Sequence, residues 1–205
     1  MTAMAARDGD TRTRLLETAL ALFTKHGVEG TSLQMIADAL GVTKAAVYYH
    51  FRTKDEITEA VAEPALRRLG AIVREAGALR RRGAQVDHVL AGVVDMVISH
   101  RALAAVFASD PGVARALERS LHGEENVKDC LTELLVGPDP DPATAVAAHV
   151  ALAGIALAGG SPALTDLPDD ELRQHLMESG RRLLGRPRRR GSHQPDDRAL
   201  PEALG

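Results

Sequence analysis

Within one short run, TKAAVYYHFRTK from Thr43 to Lys54, the chain sets out Thr43, Lys44, Tyr48, Tyr49, His50, Arg52 and Lys54. Hydroxyls and cations of this kind, presented from the start of a helix, are donors to phosphate oxygens. Ala45 and Ala46 sit at the leading edge of the run. Small side chains there let a helix backbone approach the floor of a DNA groove, and an alanine methyl can meet the methyl of thymine. Both tyrosines of the chain stand side by side here. Neighbours on a helix point about 100° apart, so both are not expected to be buried. Tyr48, next to an inward Val47, is the one expected to pack partly inside. Lys44, Tyr48, Tyr49, His50 and Lys54 are expected to reach phosphates, with Lys44, Ala45, Ala46 and Tyr49 nearest the bases. Thr31 and Thr43, at two helix starts, complete the candidate DNA-binding set.

The residues that must position this run lie just before it. In TSLQMIADALGVTK, beginning at Thr31, a small Ala37, a turn residue Gly41 and an apolar Val47 have the spacing of a helix-turn-helix. Two helices that cross tightly need a small residue where one passes over the other. They also need a turn position that tolerates positive φ, and an apolar residue that packs back. Ile36, Leu40 and Val42 fill the other inward positions. A pair built this way can lay its second helix in the major groove. Thr31 with Gln34, and Thr53 with Glu56, fit capping boxes, and Thr43 fits the cap of the recognition helix. Upstream, Leu15, Leu16, Ala19, Leu22 and Phe23 mark one buried helix face, which Gly27 ends.

Composition narrows the function classes. The 205 residues carry a net charge of −3, so any DNA affinity must be local. Over residues 1–54, Arg7, Arg12, Arg14, Lys25, Lys44, Arg52 and Lys54 outnumber Asp8, Asp10, Glu17, Glu29 and Asp38. The single cysteine, Cys130, excludes an intramolecular disulfide and suits a reducing, cytoplasmic compartment; it reads as a small buried hydrophobe. No stretch approaches 18 uninterrupted apolar residues, and the N-terminus lacks the apolar core of a secretory signal. Zinc-protease, serine-hydrolase, phosphate-loop and CxxC motifs are all missing. His88 and His100 stand too far apart for one metal site. Neither an enzyme nor a metal or cofactor is expected.

The remainder reads as helix after helix. Spans are expected over 54–79, bent at Pro64, then over 85–99 with Val86, Val89, Leu90, Val93, Val94 and Val97 inward, and over 101–108. A further pattern starts at Val113, pauses near Gly123 and resumes to Leu135. The run Gly137-Pro138-Asp139-Pro140 is a linker, and Asp141 followed by Pro142 fits the N-cap and first residue of another helix. That helix, over 143–157, is too apolar for a surface helix. Small residues at Ala147, Ala151, Gly154 and Ala158 recur along one side. The acidic Asp169, Asp170 and Glu171 open a last helix carrying Leu172, Leu176, Met177, Leu183 and Leu184. Residues 186–205, rich in Arg, Pro and Asp, read as a disordered tail, and residues 1–10 as a flexible start.

The stretch around residues 31–54 resembles the DNA-binding domain of the TetR family of bacterial transcriptional regulators. Thr31, Ile36, Ala37, Gly41, Val42, Thr43, Tyr48, His50, Phe51 and Lys54 carry the likeness, preceded by the Ala-Leu-Phe-x-x-x-Gly run at residues 21–27. Ala45 departs from it, since many members have glycine there. The resemblance implies an all-α chain: a helix-turn-helix domain over 11–54 and a helical ligand-binding and dimerisation domain over 55–185. It also implies a homodimer on a palindromic double-stranded operator and a small-molecule inducer. By the same likeness the last two helices build the dimer contact, placed at Ala147, Ala151, Gly154, Ala158, Leu176 and Leu183.

Two function classes follow. One is a repressor released by a small molecule, the other a DNA-binding dimer controlled by a protein partner or without a ligand. With Phe107 the only aromatic after Phe51, stacking cages for flat cations are not expected. A pocket from Met96, Val97, His100, Leu103, Phe107, Leu121 and Cys130 would suit a neutral or weakly polar hydrophobic ligand. The helix starting at Lys54 belongs to both domains, and its tilt would change the separation of two recognition helices.

Overall fold

Every described element of the computed structural model is helical, and the described residues are 2–109 and 127–185. The elements are α1 (Thr2–Gly30), α2 (Leu33–Leu40), α3 (Lys44–His50), α4 (Lys54–Gly77), α5 (Arg82–Ser99) and α6 (Arg101–Ser109). After these come α7 (Val127–Val136), α8 (Pro142–Gly159), a 3-10 turn (Pro162–Leu164) and α9 (Asp169–Leu183).

Several boundaries differ from expectation for local reasons. The start expected to be flexible over 1–10 is helical from Thr2. The path of α1 breaks at Gly27, where φ is 72° and ψ 166°, but a further turn carries it to Gly30. The cap of α2 is Ser32, whose hydroxyl accepts from the Met35 amide at 3.2 Å. Thr31 is not that cap, and Gln34 instead donates to Asp38 at 2.7 Å. Helix α5 begins at Arg82, three residues ahead of the expected span, with Arg81 as its cap and Arg80 in the connection from α4. Pro64 lies inside a helix that continues to Gly77. The pattern from Val113 to Leu121, and the tail over 186–205, lie outside the described residues.

Two apolar cores result. Leu15, Phe23, Ile36, Val47, Phe51 and Ile57 form the first, each 4% exposed or less. The second is larger. It holds Ile72 and Ala76 of α4, the six inward residues of α5, Leu131 and Leu135 of α7, Ala148 and Ile155 of α8, and Leu172 and Leu176 of α9. Each fully buried aliphatic side chain is worth about 1.5–3 kcal/mol. Helix α4 spans both cores, with Ile57 in one and Ile72 in the other. Val106 of α6 also enters the first core. Where α8 ends, Gly160 lies so close to α6 that a Cβ there would stand 2.3 Å from the Ala105 nitrogen.

Helix α8 starts as expected. The Asp141 carboxylate accepts from the Ala143 and Thr144 amides at 3.0 and 3.1 Å, with Pro142 following. The helix is also long and apolar enough, with mean hydropathy 1.6, to cross a membrane by length and composition alone. Its apolar residues divide between two sides. Ala148, Ala151 and Ile155 are buried, whereas Val146, Val150 and Leu157 are at least half exposed.

Candidate nucleic-acid interface

Helices α2 and α3 are each two turns long, too short to stand alone in water. Three local devices fix them. Gly41 takes φ 69°, and its amide and that of Val42 return to α2 carbonyls, closing the first helix. The Thr43 hydroxyl accepts from the Ala46 amide at 3.2 Å and opens the second. Val47, fully buried, turns one face of α3 onto Ile36 and Ala37.

The opposite face is consequently presented outward. Tyr49 is 77% exposed and Tyr48 46%. Thr43, Lys44 and Ala45 are exposed, and Ala46 and His50 are half-buried. The Lys44 ammonium lies 5.7 Å from the centre of the Tyr48 ring, and the Tyr49 and His50 rings meet edge to face at 5.2 Å. These pairings hold long side chains in place beside the open face. At the end of α3, Phe51 is buried beneath the Arg12 guanidinium at 5.1 Å. Thr53 then caps α4 by accepting from the Glu56 amide at 3.1 Å. The Glu56 carboxylate reaches the Arg52 amide at 2.7 Å, one residue ahead of the expected capping-box partner. This turn delivers Lys54 to the same side of the unit as Glu29, with its Nζ 3.4 Å from the Glu29 carboxylate.

One expected contact is withdrawn. Thr31 is 2% exposed, and its hydroxyl donates to the Gly27 carbonyl at 2.8 Å. It closes the kink of α1 and has no surface to offer a phosphate. Arg12, which clamps Phe51, was not singled out, because its partner lies far off in the chain and no local spacing announces it.

The expected ligand pocket is not gathered around either of two described cavities in the helical body. A half-open groove of about 800 Å³ runs between α5 and α9, with Leu79, Ala91 and Met177 at its floor and Asp87, Arg173 and Arg181 at its rim. A cavity of about 310 Å³ between α4, α5 and α7 takes in Cys130 with Val73, Gly77 and Arg82. Met96, Val97, His100 and Leu103 line neither. Val97 is core, packed where a Cβ on Gly159 would stand 2.0 Å from its Cγ1. The His100 Nδ1 lies 3.0 Å from the Met96 carbonyl oxygen. Cys130 is half-buried rather than buried. Leu121 and the Phe107 side chain lie outside the described residues.

The expected dimer face is also corrected in part. Ala151 and Leu176 are 1% and 6% exposed and serve the chain's own core. Ala147 and Ala158 are half-buried, and Gly154 and Leu183 are open. The outward stripe is Val146, Val150, Gly154 and Leu157, visible in the sequence as an i, i+4, i+8, i+11 series beside the small residues.

Comparison with known proteins agrees with this geometry. Residues 15–61 match the model of bacterial regulatory proteins, tetR family. The probable acrEF/envCD operon repressor of Escherichia coli (strain K12) is 46% identical over 61 residues, 29% of this chain and 28% of that protein. The regulator AcrR of Shigella flexneri is 44% identical over 54 residues, 26% of this chain and 25% of that one. The match thus spans about a quarter of these relatives' length. Two solved structures share the fold along most of the chain. A TetR-like regulator from Rhodococcus sp. RHA1 has a TM-score of 0.62 at 21% identity, covering 85% of this chain and 96% of that one. NalD, the secondary repressor of the MexAB-OprM multidrug efflux pump in Pseudomonas aeruginosa, has a TM-score of 0.61 at 24% identity, covering 86% and 96%. With a helix-turn-helix capped, turned and buried as described, residues 15–61 match the tetR family of bacterial regulatory proteins, and the helical body behind them shares the fold of solved regulators of that family.

Proposed function

We propose that the chain is a homodimeric transcriptional repressor that binds a palindromic operator and is released from it by a small hydrophobic ligand. The observation that carries the DNA reading is α3 itself. Its inner face is pinned by Val47, while Lys44, Ala45 and Tyr49 are left on the opposite, open face. Relatives named as operon repressors support repression over activation. The outward apolar stripe of α8 supports a two-fold contact between copies. Helix α4, rooted in both cores, supports coupling of the two ends: a ligand that shifts its later turns moves Lys54 and the unit attached to it. Half-sites on DNA repeat at about 34–36 Å or its multiples, so a small spread of two recognition helices breaks simultaneous docking. Ligand and operator then oppose each other by the same factor in both directions.

One observation favours control by a protein partner instead. Four of the residues expected to line a ligand pocket line neither cavity described above. A thermal-shift screen separates the two readings. A compound that stabilises the protein and weakens operator binding supports the ligand-released repressor. Stabilisation with unchanged operator affinity supports the partner-controlled dimer.

The DNA reading is tested by selecting duplexes from a random-sequence pool with purified protein. Palindromic sites are expected. Tyr49→Ala should reduce the preference for them on the order of tenfold, the worth of one base position. A protein that enriches no sequence defeats the reading. For the dimer, Gly154→Arg should yield monomers in sedimentation while leaving the subunit folded, because a Cβ at Gly154 meets nothing within 4 Å. A Gly154→Arg protein that stays dimeric rejects the α8 interface.

A further inference from the structure

We propose that Glu29 is a built-in counterion of Lys54 that DNA displaces, so that this carboxylate sets both the affinity for DNA and its dependence on salt. The inference rests on the DNA reading above and deepens it.

Lys54 is the first residue of α4, and Glu29 stands in the last turn of α1, beyond the break at Gly27. The ammonium meets two oxygens of the same residue. Its Nζ donates to the Glu29 carboxylate at 3.4 Å and to the Glu29 backbone carbonyl at 3.4 Å. The two side chains differ sharply in freedom: Lys54 is 24% exposed and Glu29 86%. The cation is therefore flanked by packing and by a backbone carbonyl, whereas the carboxylate is an exposed group touching it from the solvent side. When a phosphate approaches, the carbonyl keeps the ammonium positioned and the carboxylate can swing away.

The ion count gives this arrangement a signature. A lysine that meets a phosphate releases condensed cations from the DNA, and each such contact adds about 0.9 to the slope of log affinity against log salt. Lys54 does not begin as a bare cation. As Glu29 lets go, its freed carboxylate gathers cations back from solution, and the net release at this contact falls. Wild-type protein thereby loses part of the attraction that Lys54 would supply alone, and gains tolerance to changing salt.

Glu29→Gln removes the charge while keeping the shape and the backbone carbonyl. We expect the variant to bind both a selected operator and a mixed-sequence duplex more tightly at low salt. The gain should be about two- to fivefold, the range expected for one exposed ion pair. Its salt slope should steepen by up to about 0.9. Glu171→Gln, which makes the same charge change on α9, controls for net charge and should leave both quantities unchanged. Circular dichroism verifies that each variant is folded. Glu29→Gln binding with wild-type affinity and slope overturns the proposal, and so does weaker binding, which would make Glu29 a positioning group for Lys54. A wild type that enriches no duplex defeats the DNA reading and this inference with it. Enrichment by the wild type with an inert Glu29→Gln defeats this inference alone.

Discussion

Helix α4 joins two cores that reached their present form under different constraints. The first is made of short pieces. Helices α2 and α3 must be capped, turned and packed within a few residues, and on the proposed DNA reading their outer face meets a ligand of fixed geometry. Ala37, Gly41, Thr43 and Val47 are each confined by a separate requirement, and the outward Lys44 and Tyr49 by another. The second core is made of longer helices whose inward positions ask only for aliphatic bulk, a requirement many sequences meet. Relatives follow the same division. The tetR family model matches residues 15–61, and the match to a curated repressor, 46% identical, takes in 29% of the chain, whereas the solved structures share the fold along most of it. A region constrained on both faces keeps its residue types; one constrained on a single face keeps its shape.

The largest expected effect breaks one core and spares the other. Val47→Asp places an unpaired charge at a position with no exposure. It should cost the first core more than about 3 kcal/mol, abolish DNA binding and leave the second core helical. Urea unfolding followed by circular dichroism would display a lost or shifted early transition with the main one retained. Loss of all helicity together would mean that α4 fuses the two cores into one cooperative unit.

A second comparison stays within α8 and its exit. At Gly160 an added methyl would lie 2.3 Å from backbone of α6, which cannot give way as a side-chain tip can. Gly160→Ala should cost about 1–3 kcal/mol in the urea midpoint. At Gly154 the same methyl meets nothing within 4 Å in its own subunit. Within the subunit, Gly154→Ala should instead raise stability by about 0.5–1 kcal/mol, the helix preference for alanine, as read in a Leu157→Arg background that keeps copies apart. Equal effects at the two sites would refute the close α6–α8 approach.

What was legible in the sequence follows the same logic. The helix-turn-helix, its inward set, the caps at Thr43, Thr53 and Asp141, and the inward stripe of α5 all rest on local spacing, and the structure places them as read. Thr31 was misread because Thr31 and Ser32 are both good caps. Only the kink at Gly27, which draws the Thr31 hydroxyl inward, decides between them. Ala151 and Leu176 were assigned to a partner although they face the chain's own core. Periodicity marks an apolar side but not which neighbour covers it. The pocket was the least legible, because a cavity is what distant helices leave unfilled, and no spacing along one helix encodes it.

The smallest expected effect tests whether the start of α8 is held by charge as well as by shape. Hydrogen bonds to the carboxylate, from the Thr144 side chain first and then from the Thr144 and Ala143 amides, hold the Asp141 pKa below its ordinary value of 3.8. A carboxylate with a lowered folded pKa adds stability that is fully present above its unfolded value and is lost as pH falls through the folded one. Asp141→Asn keeps an acceptor for the helix amides but removes the charge, and so should be slightly less stable than wild type near neutral pH. The gap between their urea midpoints should stay constant down to about pH 5 and close as the pH drops below 3.8. Because Asp141 is fully exposed, added salt should shrink the gap as well. A difference that persists unchanged into acid would show that α8 is opened by the geometry of its cap alone, with no part played by the charge.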